Sequence, residues 1–560
     1  MRSLRRSFNG VNCRKRSQKV TLAALTLLLM FSIVLTVPQT NSETTIQSIS
    51  AEKTAYSNGD VLLNKTFGGS TDDKGYCVIE TSDGGYAIIG TKWFGDNGNS
   101  DVWLIKTDEN GEEVWNNTFG GVYSDYGYSV AQTTDGGYII TGSFGSGLIL
   151  NDDLWLIKTD SNGDHEWNKT FSGEFTGDNG RCVMQTPDDG YLVVGTIGMG
   201  LNGNADVWLI KTNSTGDLEW SEIFDGGHGD YGYCFAPTSD GGYIITGYTY
   251  SYGANPGVSP DFWLIKTNST GGEEWNQTYG GTDVDLGYCV EQTSDGGYII
   301  AGYTWSYGAN PGVTPDIWLI KTNPAGGEEW NQTYGGVYSE LGYWVEPTSD
   351  GGFIITGQIY YSTLPTLMSI RNAIPTNVLL IKTNENGNQQ WNQTYGGIAY
   401  EVGNSVIQNS DGDYVIVGYT SSYGTGGSND VWLLKVASGF PVIDHPADIT
   451  YEEGSTGNNI IWHPEDAEPS SYSIASNETL VESGPWDGGN ISVTVDGLSL
   501  GVYLYTCSVN DTVGQSASDT VMVTVTEEEG GFPWGGLFFV LAVIGLATVI
   551  IYSTQYAKKP

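Results

Sequence analysis

Seven acids recur at matching places along the chain: Asp73, Asp125, Asp178, Asp230, Asp285, Glu340 and Glu401. Each stands two or three residues before a short β-rich run, where a carboxylate can accept the amides of a turn and start a strand. Gathered round a common axis, the same acids would make a ring at a channel mouth. Hard cations need several oxygen ligands at once, so such a ring would hold Ca²⁺ or a cationic ligand. Ca²⁺ is the one cofactor the pattern admits. A second set is aromatic: Tyr250, Tyr252, Trp305, Tyr307, Tyr360 and Tyr361 lie in the longest loops, together with Arg371. Rings beside carboxylates suit a glycan, whose C–H faces stack while its hydroxyls bond to acids. They suit a protein partner equally well, and loops that pack only on themselves are the third reading.

Other chemistry is weaker. His165, His228, His445 and His463 are scattered singly and give no zinc spacing. Gly497-Leu498-Ser499-Leu500-Gly501 matches a nucleophile elbow, but it joins two strands and no helix follows. The turns TDENG and TDSNG look like half a calcium loop, yet TNSTG and TNPAG replace them in later repeats, so they read as hairpin turns. Cys77, Cys182, Cys234 and Cys289 share one strand position that Ser129, Trp344 and Ser405 occupy elsewhere. They read as fillers between sheets, with a disulfide between neighbours the lesser alternative. Eleven N-x-Ser/Thr sequons make glycosylation at several sites an expectation.

The elements that must position these residues are repeats. A tight-turn aspartate recurs at Asp83, Asp135, Asp188, Asp240, Asp295, Asp350 and Asp411, spaced 52 to 61 residues apart, a period of propeller-blade size. Each unit holds four short β-rich runs separated by turn signals, and runs such as Val102-Trp103-Leu104-Ile105 are apolar on both faces. A sheet sandwiched between two neighbours has that pattern. The last unit stops at Lys435 without a fourth strand, and Leu62–Gly69 near the start supplies a matching one. The predicted fold is all-β, a seven-bladed β-propeller over residues 61–438 with velcro closure, which removes the exposed sheet edge.

Trp103 and Trp115, and their counterparts in the other units, read as packing between blades. Seven lysines share one position (Lys106, Lys158, Lys211, Lys266, Lys321, Lys382, Lys435), and strand order brings each to its own blade's turn aspartate, Lys106 to Asp83 first among them. The loop between strands two and three holds 10 residues in blades one to three, 13 in four and five, 19 in six and 11 in seven. It emerges on the face that carries the acids.

After the repeat, residues 441–526 read as an immunoglobulin-like β-sandwich with Trp462 in its core; Tyr505, two residues before Cys507, has tyrosine-corner spacing. Residues 1–42 are basic and then apolar, a signal peptide or, uncleaved, a signal anchor. Residues 533–552 are apolar and uncharged, long enough for a transmembrane helix. Lys558 and Lys559 make 553–560 a cytoplasmic tail, so the rest is extracellular and anchored in the cell membrane. The formal net charge is −42, and nine of the 23 basic residues lie in the two ends. A polyanion of this kind excludes nucleic acid as a partner.

TSDGGYIITGYT, DVWLIKTDENG and WNQTYGG together resemble the β-propeller repeats of bacterial and archaeal cell-surface proteins, within the kelch and quinoprotein-like propeller superfamily. The resemblance implies fold and carries no established activity. Quinoprotein dehydrogenases usually have eight blades and vicinal cysteines, which this chain lacks. A glycosidase needs one matched carboxylate pair, and seven similar acids single out none. The expectation is therefore a non-catalytic recognition or adhesion protein binding an extracellular protein or glycan. A calcium-dependent quinoprotein-like oxidoreductase or a glycan-active enzyme is the alternative.

Overall fold

The computed structural model describes residues 59–527, apart from 95–98, 146, 148–151, 174–176, 200–204, 362–374, 425–426, 440, 442, 444–445, 465, 467–468, 478 and 512–515. The leader 1–42, the apolar run 533–552, the tail 553–560 and Arg371 lie outside the described residues.

Among the described residues the thirty-five regular elements are all strands. They form repeated four-stranded antiparallel sheets typical of a β-propeller, seven among the described residues, followed by a five-stranded and a two-stranded sheet. The first sheet takes Lys74–Glu80, Tyr86–Trp93, Ser100–Thr107 and Glu113–Phe119 in sequence order, and the next five repeat that order. The seventh takes Glu401–Gln408, Tyr414–Thr420 and Asp430–Val436, and its fourth strand comes from the start of the chain. Val61–Phe67 pairs antiparallel with Asp430–Val436, with Phe67 opposite Val431.

Third strands are buried on both faces: Val102, Trp103, Leu104 and Ile105 are each no more than 3% exposed. Each face packs on a neighbouring sheet. One apolar cluster joins Val78, Ile88 and Trp103 of the first sheet to Val415, Val431 and Leu433 of the seventh, so the succession closes on itself. The seams carry repeated polar clips too. Ser82 donates its amide to the Gln132 side chain at 2.9 Å, and at the closing seam Ser410 donates to Glu80 at the same distance.

The tryptophans divide two tasks. Trp103, Trp155, Trp263 and Trp318 each donate their indole N–H to the asparagine of their own fourth strand, at 2.9 to 3.2 Å. Trp432 does so to Asn64 of the borrowed strand, at 2.8 Å. Fourth-strand tryptophans reach the next sheet, as Trp115 does in lying 5.8 Å from Tyr138. The hairpin glycine Gly163 has φ +78, and a Cβ there would stand 2.4 Å from the Trp115 ring. Backbone conformation and close approach both require glycine.

All seven lysines reach their own turn aspartates, at 2.7 to 3.0 Å. Each aspartate is also held within its turn: Asp240 accepts the Thr238 hydroxyl at 2.5 Å and the Gly242 amide at 3.0 Å. The Lys266 ammonium and the Thr238 hydroxyl hold its carboxyl down to about 2. Six of the seven aspartates keep more than half of their side chain in water while their lysines are buried or nearly so; Lys382–Asp350 is closed on both sides, at 0% and 17% side-chain exposure.

Beyond the repeat, Ile449–Glu452, Ser516–Thr526, Gly501–Asp511, Pro469–Ser476 and Thr479–Pro485 make the five-stranded sheet, and Asn459–Trp462 pairs with Ile491–Thr494. Trp462 is wholly buried and donates its indole N–H to Asp519 at 2.9 Å. The Tyr451 hydroxyl donates to the Val495 carbonyl, tying the first strand of this region to the chain just after Ile491–Thr494.

Removing one partner of a closed ion pair strands a buried charge, whereas a carboxylate facing water can rehydrate. Lys382→Met should therefore lower unfolding free energy by roughly 3 kcal/mol and Lys106→Met by about 1 kcal/mol or less. Urea denaturation of the two variants beside wild type measures the difference, and equal losses would show that Asp350 gains nothing from enclosure.

Candidate functional site at the axis of the sheets

In every one of the seven sheets the pairing of strands one and two slips by one residue at the same place. The residues left out of the ladder are Tyr76, Tyr128, Arg181, Tyr233, Tyr288, Tyr343 and Asn404. A bulge of this kind re-aims its extra side chain. Each is half-buried although the glycine before it is buried, as expected of residues facing an opening. From Tyr76 to Tyr343, neighbouring members touch in order. Tyr76 meets Tyr128 at 5.4 Å; the Arg181 guanidinium lies 4.2 Å from the Tyr128 ring and 5.2 Å from Tyr233. Tyr233 meets Tyr288 at 4.7 Å, and Tyr288 meets Tyr343 at 5.5 Å. Asn404 reaches the first sheet, its amide donating to the Gly75 carbonyl at 2.7 Å. The sequence carried a signal for this girdle: GYC and GYS become GRC at Arg181 and GNS at Asn404.

More aromatics adjoin the girdle. Tyr231 stacks on Tyr248 at 4.8 Å and Tyr288 on Tyr303 at 5.7 Å, while Tyr248 meets Tyr250 at 6.3 Å. The Tyr360 and Tyr400 hydroxyls are 3.3 Å apart, and Lys74 lies 5.2 Å from the Tyr419 ring. Of the loop aromatics, Tyr250 and Tyr360 thus join this cluster. Tyr252 and Tyr307 fold back on Trp263 and Trp318 of their own sheets, at 5.6 and 5.1 Å. Tyr423 does the same on Trp432 at 5.3 Å, unremarked in the sequence because its loop is short. Trp305 is fixed through its backbone, donating to Val284 and accepting from Gly312. Tyr361 packs edge-on against Tyr338 at 5.4 Å.

The seven acids are buried, at 0 to 5% exposure. Asp125 accepts the Gly121 and Gly145 amides at 2.8 and 2.7 Å, and Asp178 accepts those of Gly173 and Gly198 at 2.7 and 2.8 Å. Asp230 takes the Gly226 amide and the Thr249 and Ser251 hydroxyls. Asp285 has the corresponding partners Gly281, Thr304 and Ser306, and Glu401 has Gly397, Thr420 and the Ser422 amide. Asp73 accepts the Trp93 amide at 2.8 Å. These acids clip the loop before strand one to the loop after strand two. Glu340 keeps one carboxylate oxygen without a hydrogen bond. Among the described residues, acids approach as metal ligands at one place, Asp206, Asp225 and Asp230, whose ligand atoms lie within 4.8 Å of one another. Of the seven, that group contains Asp230 alone.

Two further acids break the repeat. Glu291 and Glu346 hold the same register in adjoining sheets, opposite Ile299 and Ile354, where the other sheets carry Ile79, Ala131, Met184, Ala236 and Ile407. Burial pushes Glu346 up to about 7, and burial with the Glu346 charge pushes Glu291 well above its ordinary range. Cys234 and Cys289 bring their sulfurs to 3.8 Å as free thiols. Burial raises the Cys77 thiol to about 12, which leaves no thiolate for chemistry near neutral pH.

No protein-family model matches the chain, and no curated protein matches it. Among solved structures it is similar to Sqt1 from Chaetomium thermophilum, with TM-score 0.38 and 10% identity over 68% of this chain and 99% of that one. It is similar to the β-propeller domain of the trilobed protease from Pyrococcus furiosus, with TM-score 0.38 and 9% identity over 65% and 94%. It is also similar to an ulvan lyase of polysaccharide lyase family 25, with TM-score 0.39 and 8% identity over 67% and 96%. The expectation that this chain is no enzyme is corrected here. A polysaccharide lyase stands among its structural neighbours, so the fold leaves catalysis open.

Burial raises Asp73, Asp125 and Asp261 to about 6 and Asp206 and Glu340 to about 7. Folding then holds protons that the unfolded chain releases near pH 4, so their contribution is full below about pH 4 and lost as pH rises through 6 to 7. The turn aspartates Asp188 and Asp240, held at about 2, contribute above pH 4 and lose that as pH falls toward 2. In metal-free buffer the melting midpoint should peak at about pH 4 to 5 and fall on both sides. A midpoint rising steadily from pH 5 to 8 would contradict the raised acids.

Proposed function

We propose that the chain is a membrane-anchored extracellular recognition protein whose seven-bladed, velcro-closed propeller takes a glycan end-on at its axis. The immunoglobulin-like region 441–526 then serves as a spacer, and residues 533–552 as the anchor. The observation that carries this reading is the girdle of half-buried bulge residues, in which Tyr76, Tyr128, Arg181, Tyr233, Tyr288 and Tyr343 touch in sequence and Asn404 reaches the Gly75 carbonyl. Tyrosine rings stack on sugar faces, and a concave ring of them suits the end of a chain better than the flat surface of a protein. Arg181 and Asn404 break the symmetry and supply donors that orient a bound sugar.

A second reading rests on Glu291 and Glu346: the bound glycan is also cleaved. Paired carboxyls with separated proton affinities are the acid and base of glycoside chemistry. Release of reducing ends that stops in Glu346→Gln would establish it.

The recognition reading is tested by applying the full chain in detergent to a glycan array, beside Tyr233→Ala and Arg181→Ala. The expected result is retention of a restricted set of glycans, weakened at least tenfold by either substitution at unchanged melting midpoint. No retained glycan, or retention indifferent to both substitutions, would overturn it.

A further inference from the structure

Each strand-one acid has a neighbour from the preceding sheet, the first charged or amide residue of that sheet's third strand: Asp101, Asp153, Asp206, Asp261, Asp316, Asn377 or Asp430. The backbone enforces the pairing. The amides of Asp125, Asp178, Asp230, Asp285, Glu340 and Asp73 donate to the carbonyls of Ser100, Asp152, Ala205, Pro260, Pro315 and Asn429, at 2.5 to 2.9 Å. Each of those carbonyls belongs to the residue just before the third-strand acid. Glu401 is held likewise, its amide donating to the Thr376 hydroxyl at 2.9 Å beside Asn377. Six of the seven seams therefore set two carboxylates side by side.

Several of those carboxylates are not satisfied. Asp261 and Asp316 are 1% exposed and Glu340 5%, yet Asp261 Oδ1, Asp316 Oδ1 and Glu340 Oε2 have no hydrogen-bond partner; nor has Asp206 Oδ1. None of these four acids enters an ion pair among the described residues. Only glycine fits beside two of the orphan oxygens: a Cβ on Gly280 or Gly335 would clash, at 2.3 Å from Asp261 Oδ1 or Asp316 Oδ1. A buried carboxylate oxygen without a donor is costly, and an adjacent like charge makes it more so. The lysines that could neutralise these pairs are committed to the turns at the strands' other ends.

We infer that the seams between sheets are hard-cation sites, and that the seam holding Asp206, Asp225 and Asp230 binds a divalent cation of the calcium class. Among the described residues, that seam alone brings ligand atoms of three carboxylates, Asp206, Asp225 and Asp230, within 4.8 Å of one another. An all-oxygen set with three negative charges suits Ca²⁺ and offers nothing to a soft metal. The site lies between two sheets, away from any single central ion, and it stands or falls independently of what the girdle binds.

Asp225 is exposed, so Asp225→Asn removes one ligand without disturbing the core. Full-length wild type and variant, stripped with chelator, are titrated with CaCl₂ by calorimetry, and their melting is followed with and without the ion. Wild type should bind Ca²⁺ and melt several degrees higher with it; Asp225→Asn should match wild-type melting in chelator while binding Ca²⁺ at least tenfold more weakly. Absence of Ca²⁺ binding by wild type at millimolar concentration would overturn the inference. So would affinity unchanged in both Asp225→Asn and Asp206→Asn.

Discussion

The rest of this structure depends on one pairing, that of Val61–Phe67 with Asp430–Val436. Strands such as Val102–Ile105 are apolar on both faces, so no sheet built from them can end a stack in water without exposing a wall of hydrocarbon. Closing the succession removes the end. Once the first sheet packs on the seventh, every seam becomes equivalent, which is why Ser410 and Glu80 repeat the contact of Ser82 and Gln132. Closure also gives the bulges a common axis. A bulge in an isolated sheet would only kink a strand; seven in register make a girdle.

Charge is distributed on the same plan. The chain is a polyanion whose few cations are placed where they act on structure: one lysine per sheet, buried beside a turn aspartate at the end where strand one finishes. At the other end the acids are buried with glycine amides and hydroxyls as donors, and with one another as neighbours. The two ends therefore respond oppositely to protons. The turns are held down and the seams are pushed up, because ammonium groups accompany the first, while burial, with like charges beside it, acts on the second.

Much of this was legible in the chain. The recurrence of SDGG, DxWLIK and WNxT fixed the strands, and the position of Lys106 relative to Asp83 was enough to predict its partner, since both lie at one end of adjacent strands. The loop aromatics were read less well. Tyr252 and Tyr307 carry the composition of a binding surface, yet the sharp SYGANPG turn folds them onto Trp263 and Trp318, an outcome set by backbone path. The girdle is hidden in the sequence for another reason. A bulge is a relation between two strands and leaves no mark on one, and Arg181 is a replaced residue in repeats that differ more visibly by their inserted loops. Likewise Asp206, Asp261 and Asp316 looked like strand openers, because the neighbours that make them unusual come from the following sheet.

Closure through the N-terminal strand is tested most directly by hydrogen exchange, read by mass spectrometry on the full chain. The account predicts that the amides of Val61–Phe67 bonded to Asp430–Val436 are as protected as those of the fourth strands Glu113–Phe119 and Glu273–Tyr279, and that they lose protection together with the seventh sheet. Rapid exchange across Val61–Phe67, with the other sheets protected, would contradict it and leave the seventh sheet with an open edge.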